Sequence, residues 1–184
     1  MQAIRNALPD HARDLRTNLD AVLSEAGAAG LNARQIWITA LGCAIASRHQ
    51  PLVIEIESAG AAVLSDGERK AARAAAAIMA MNNIYYRFTH LVSDESYRSM
   101  SAKLRMTVIG NPGIEKIDFE LVCLAVSAIN GCGMCMDSHE KVLRKAGATP
   151  DAIQSAVRIA AVIHAVAVTL EQDAHDVRTL ATAA

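Results

Sequence analysis

Aromatic side chains are scarce in this chain: two Phe, three Tyr and one Trp make up 3% of its 184 residues. Ala, Leu, Ile, Val and Met must therefore fill the interior, and small side chains of that kind suit closely packed helices. A dominant sign of charge is also missing, since 18 Lys and Arg stand against 19 Asp and Glu. With no basic stripe interleaved with aromatics, a nucleic-acid footprint is excluded. Apolar runs stay short of the roughly 18 residues of a membrane helix, and the longest, Ile159 to Leu170, is interrupted by His164. The opening stretch Met1 to Arg16 mixes both charges and does not read as a signal peptide. The expected location is cytoplasmic, with neither membrane nor nucleic acid as partner.

Hydrophobic residues at 52% and charged residues at 20% give a globular composition. The length fits one domain over 1–184 with a single core. Apolar residues recur at helical spacing almost throughout, and strict alternation is nearly absent. The spacing predicts helices over 11–27, 32–48, 52–63, 66–90, 94–104, 117–130, 132–146 and 150–172. Ser65-Asp-Gly-Glu68 fits a capping box, in which serine and glutamate satisfy each other's orphan backbone donors. Thr149-Pro150-Asp151 supplies a cap, a proline at the first helical position and an early acid. Gly110, Pro112 and Gly113 make Met106 to Gly113 a loop. The fold class is all-α with short connections.

A weak internal repeat is visible. Leu41 to Ser47 resembles Cys123 to Ile129 in pattern, and Arg73 to Met79 lines up with Arg158 to His164. If real, each half contributes a helical hairpin and a long helix, and only the C-terminal half, about 115–175, is redox-active, because Pro51 stands near the place of the later cysteines. Composition alone also makes Ala-rich helices resemble one another, and this plainer reading is preferred at the level of sequence.

The cysteines number four, at positions 43, 123, 132 and 135. Without a secretory signal, a close pair is expected to be catalytic or metal-binding rather than part of a disulfide framework. Asn130-Gly131 is a turn and cap signal that puts Cys132 at the first turn of a new helix. Unpaired backbone N–H groups there favour thiolate over thiol. Cys132, Cys135 and His139 follow at spacings of three and four, on one helix face. Glu120 lies about 15 Å back along the preceding helix and His139 about 12 Å along the next. An antiparallel turn at Asn130-Gly131 then brings them to similar height, giving a route from Glu120 through His139 to a cysteine. Zinc is an alternative use of Cys132, Cys135 and His139, with Glu120 or His164 as fourth ligand. An isolated glutamate is also commonly a solvated surface acid. Cys43 and Cys123, inside apolar runs, read as small hydrophobes. His164 reads as a core histidine, Met79 and Met81 as core filling, and His11, His49, His90 and His175 fall outside any motif.

Over nearly its full length the chain resembles the AhpD alkylhydroperoxidases of the carboxymuconolactone decarboxylase-like superfamily. The stretches that carry the resemblance are Ala77 to Arg87, Leu104-Arg-Met106 with Asn111-Pro-Gly-Ile114, Phe119-Glu120, and Ser127 to Glu140. The resemblance implies an all-helical antioxidant enzyme that forms a trimer, with a dimer of trimers left open, and binds no flavin, haem or metal. It implies a Cys pair cycling between dithiol and disulfide. Electrons would come from the lipoyl group of a dihydrolipoyl-bearing protein and pass to the peroxiredoxin AhpC, with some direct reduction of organic hydroperoxides. By that likeness Cys135 attacks, Cys132 resolves, and Glu120 with His139 relays protons. Helix-end position favours Cys132 as the more acidic thiol, whereas the neighbouring His139 favours Cys135. Some members carry a histidine where this chain has Met134, and a methionine shuttles no proton. Disulfide exchange is less affected by that departure than direct peroxide reduction. The rival functions are a superfamily decarboxylase acting on a lactone, which needs no dithiol, and a zinc-binding protein without enzymatic activity.

Overall fold

The computed structural model describes residues 1–182, with side chains through 173, and among the described residues every regular element is helical. The order is α1 (Gln2–Ala7), α2 (Arg13–Val22), α3 (Ala33–Ala46), α4 (Gln50–Ala59), α5 (Asp66–Leu91), α6 (Ser96–Ser99), α7 (Thr107–Gly110), α8 (Lys116–Ile129), α9 (Gly133–Lys145) and α10 (Pro150–Thr182). The expected capping box at Ser65 forms, with Glu68 accepting from the Ser65 backbone N–H at 2.7 Å. A second one, Asn32 with Gln35, starts α3.

Helices α3 and α8 make the centre. Residues 118–127 of α8 are all buried, as are Ile36 and 38–44 of α3. A helix that is apolar on every side must be enclosed, and here α5 and α10 supply the enclosure, with α4 and α9 closing the ends and α2 packed on α10. The axes approach closely where Gly42 meets Val122: a Cβ on residue 42 would sit 2.3 Å from Val122 Cγ1.

Several boundaries differ from those expected. Of 94–104 only Ser96–Ser99 is helical, because residues 93–101 are exposed and so lack the tertiary burial that sustains a short helix. The 11–27 helix ends at Val22, where Ser24 turns its hydroxyl onto the Ala21 carbonyl at 2.9 Å. Residues 2–7 form a helix that the pattern did not mark, and α7 occupies part of the Met106–Gly113 loop. The stretch Pro150–Asp173 is long and apolar enough to cross a membrane by length and composition, contrary to the run-length reading. Its buried stripe of Ala152, Ala156, Ile159, Ala160, Ile163, Val166, Ala167 and Leu170 is packed into the core.

The repeat is structural, not merely compositional. A shift of 83 residues carries Ala33–Ala46 onto Lys116–Ile129, helix for helix. The same shift carries Arg48, at φ 62°, onto Gly131, at φ 68°. It also carries His49, whose Nδ1 caps α4 by accepting from Leu52 N–H, onto Cys132, whose Sγ caps α9 by accepting from Cys135 N–H. The short motif alignments above missed this register by one or two residues, because Ala-rich helices match equally well in neighbouring frames.

Candidate active site

The left-handed backbone at Gly131 reverses the chain between α8 and α9. That reversal lays the two helices side by side and delivers Glu120 to His139. The His139 Nδ1 lies 2.6 Å from Glu120 Oε2, and both residues are buried. Glu120 is therefore not a solvated surface acid. Its other oxygen, Oε1, accepts from Lys116 Nζ at 3.0 Å, one helical turn earlier. Burial alone pushes the Glu120 carboxyl up, but hydrogen bonds and charge from His139 and Lys116 outweigh it and hold it below its ordinary value.

Cys132 and Cys135 are joined as a disulfide, with Cα atoms 5.3 Å apart. Cys132 is the N-cap residue itself, one position earlier than expected, and is fully enclosed. Cys135 instead lines a cavity of about 450 Å³ together with Glu120, His139, Met79 and Met134. Its Sγ lies 4.0 Å from the Asn82 carbonyl oxygen. No hydrogen bond joins His139 to either cysteine sulfur among the described residues. The Nε2 atom rests 3.3 Å from Met79 Sδ.

Met79 is thus more than core filling. It joins His139 to a buried polar strut in which Ser127 Oγ lies 3.5 Å from Met79 Sδ, Asn83 Nδ2 donates to Ser127 Oγ at 2.9 Å, and Asn130 Nδ2 donates to Asn83 Oδ1 at 2.9 Å. Arg87 adds a bond to the Asn130 carbonyl at 2.7 Å. The strut ends on the turn that carries Cys132. Motif reasoning from the cysteines outward passed over these residues. The signal available was Asn82-Asn83 within an otherwise apolar helix, since polar groups buried without purpose are rare.

The remaining candidates separate cleanly. Cys43 and Cys123 are free and buried, and burial pushes both thiols far up, out of the reactive range. His164 is exposed, not a core histidine, with Nδ1 3.2 Å from Ser47 Oγ. It stands apart from the cysteines, so the proposed fourth zinc ligand is not delivered by α10. His49 serves as a cap, and the side chain of His175 lies outside the described residues. Among the described residues no three His, Cys, Asp or Glu side chains are grouped to hold a metal ion.

The profile of the Carboxymuconolactone decarboxylase family matches residues 96–172. Relatives extend the match to almost the whole chain. An alkyl hydroperoxide reductase AhpD of Streptomyces avermitilis is 55% identical over 174 residues, covering 95% of this chain and 97% of the relative. The chain belongs to the carboxymuconolactone decarboxylase family, in its AhpD branch. The AhpD proteins of Streptomyces griseus, 54% identical over 95% of this chain and 97% of their own, and of Methylocella silvestris, 50% identical over 93% and 94%, agree. The family profile begins at α6 and so includes α8, α9 and α10 as far as residue 172, but not α5. In this AhpD-type chain Met79, Asn82 and Tyr86 of α5 nevertheless line the cavity.

Proposed function

We propose that this protein is an alkyl hydroperoxide reductase that works by cycling the Cys132/Cys135 pair. The observation that carries the reading is the buried Glu120–His139 pair at 2.6 Å beside a cavity on which Cys135 opens. The relatives' name, alkyl hydroperoxide reductase AhpD, supports the same activity.

In the reduced enzyme the Cys135 thiolate attacks the terminal oxygen of a hydroperoxide. The O–O bond breaks, Cys135 becomes a sulfenic acid, and the departing alkoxide takes a proton that His139 supplies. The Cys132 thiolate then attacks Cys135 Sγ, releasing water and forming the disulfide. Cys135 is the attacking residue in this reading because its sulfur faces the cavity, whereas Cys132 is enclosed behind it. Two electrons restore the pair when a thiolate of a dihydrolipoyl group on a partner protein opens the disulfide and its second thiol closes the partner's own. The same reduced pair passes electrons to the disulfide of the peroxiredoxin AhpC by exchange. Glu120, held ionised, keeps the His139 ring oriented through Nδ1. Met134, beside Cys135, adds no proton donor, so onward transfer to the peroxiredoxin is favoured over unaided peroxide reduction. No bound cofactor enters this scheme. A dithiol that must be reduced again in each cycle fits the cytoplasm. The exposed Ile84, Phe88 and Leu91 on one face of α5 support self-association, with the trimer as the expected assembly.

A coupled assay tests the reading. Reduced lipoyl protein and tert-butyl hydroperoxide are supplied with and without the peroxiredoxin, and hydroperoxide loss is followed. Consumption is expected in both mixtures and faster with the peroxiredoxin; none in either overturns the proposal. Glu120→Gln and His139→Gln should slow turnover by on the order of 100-fold or more with little change in thermal unfolding. Unchanged rates remove the relay.

A further inference from the structure

Asn82 and Asn83 are adjacent, both are buried on α5, and their carboxamides have opposite fates. Asn83 is fully engaged with Ser127 and Asn130. Asn82 is 4% exposed, yet its Oδ1 has no hydrogen-bond partner among the described residues. Leaving a buried amide oxygen unpaired costs about 1–3 kcal/mol, so such a group calls for a reason. Exchanging the two ends of the amide does not remove the problem, because neither end bonds within the described chain. Asn82 also lines the cavity, beside Cys135, Met134 and His139. Its own backbone carbonyl is 4.0 Å from Cys135 Sγ. Asn82 is therefore part of the wall of the cavity onto which Cys135 opens, with its backbone carbonyl nearest that sulfur.

A carboxamide offers one acceptor and two donors, so it fits a group that both gives and takes a hydrogen bond. Among the reactants of the proposed cycle, the peroxide group does both most strongly at its reacting atoms, with its O–H as donor and its oxygens as acceptors, whereas a thiol does so only weakly through sulfur. A thiolate only accepts, and a disulfide offers neither N–H nor O–H. Resting on the reading above, we propose that Asn82 is a catalytic residue that binds the hydroperoxide group itself, taking the O–H on Oδ1 and donating N–H to the oxygen that leaves as alkoxide. Held this way, the O–O bond is presented to Cys135 and the developing negative charge has a donor ready. Asn82 then provides a polar contact in the cavity that Met134 also lines but cannot supply. It transfers no proton; His139 does that.

The experiment separates peroxide chemistry from thiol exchange. Asn82→Ala and the near-isosteric Asn82→Leu are compared with wild type in two reactions driven by the dihydrolipoyl protein. These are reduction of tert-butyl hydroperoxide and reduction of the small aromatic disulfide DTNB. The expected result is a fall in kcat/KM of on the order of 100-fold for the hydroperoxide with DTNB reduction within about twofold of wild type. Equal losses in both reactions, or no loss in either, overturn the assignment. A second measurement does not depend on turnover. In the Cys132→Ser/Cys135→Ser protein, the Asn82 side-chain NH₂ signals, identified by their loss in Asn82→Ala, are followed as tert-butyl hydroperoxide is added. A saturable shift is expected with the hydroperoxide and a much weaker one with di-tert-butyl peroxide, which lacks the O–H. No shift, or equal shifts with both, overturns the assignment even where the parent enzyme turns over. A clear shift beside a wild type that consumes no hydroperoxide would leave Asn82 as a binder and count against the catalytic cycle instead.

Discussion

Lys116 reaches Glu120 from the solvent side of α8, and its ammonium also bonds the Ile109 carbonyl on the cavity wall. An exposed lysine four residues from a glutamate ordinarily adds only a few tenths of a kcal/mol to a helix. Here the glutamate is buried and its second oxygen is given to His139, so the lysine helps decide whether the carboxyl stays ionised. Lys116→Met removes one of the two groups that lower the Glu120 pKa, so that pKa rises toward the direction burial alone imposes. The ionised form is the one the proposed relay uses, and turnover should therefore fall off at a higher pH on the acid side. At higher pH it should approach the wild-type rate. A pH–rate profile checks this; a lowered plateau with an unmoved acid limb would mean that Lys116 only props the wall. At this scale the meeting of Glu120 with His139 and the pairing of Cys132 with Cys135 were legible from spacing and chain reversal. Lys116, Met79 and Asn82 were not, because their importance depends on what a third helix, α5, or a neighbouring turn brings against them.

The turn between α8 and α9 decides where the cysteines lie. Gly131 sits at φ 68°, a left-handed conformation that costs an L side chain about 1–2 kcal/mol. Space is not the obstacle, since the nearest atom to an added Cβ is Arg87 Nη1 at 3.9 Å. Gly131→Ala should lower unfolding stability by about 1 kcal/mol through backbone strain, and Gly131→Asn by less, because asparagine visits that region more readily. Urea unfolding measures both. Equal losses for Ala and Asn would point to crowding rather than strain. Asn130-Gly131 announced this turn in the sequence, and both flanking helices fell within about two residues of their expected bounds. The α6 segment was misjudged for the opposite reason. Helical spacing over 94–104 is a local signal, whereas a helix persists only where another element covers its apolar side, and there α5 offers little beyond Phe88 against Tyr97.

Across the whole molecule, the all-helical class followed from periodicity, but the way the two halves cross did not. The crossing depends on Gly42 being bare against Val122. Gly42→Ala would force a methyl into that contact and should destabilise by about 1–3 kcal/mol despite alanine's better helix propensity. Adding Val122→Ala should recover part of the loss, as a double-mutant cycle by thermal unfolding would show. Additive losses would place the strain elsewhere. A lone glycine inside an apolar helix hints at close approach, yet the partner position, 80 residues away, is set by the tertiary fold.

The repeat also divides the labour between the halves. The half without the cysteine pair contributes its long helix, α5, as a wall of the cavity on which the other half's Cys135 opens. An ancestral single unit, comparable to the segment the family profile covers, would have carried cysteines and a relay with one side open to water. Such a unit could complete its cavity only by lending its long helix to a twin. Within one chain the two units hold that arrangement together, one shielding the other. The left-handed Arg48, standing where its counterpart has glycine, makes the same reversal in the shielding half with a side chain in place.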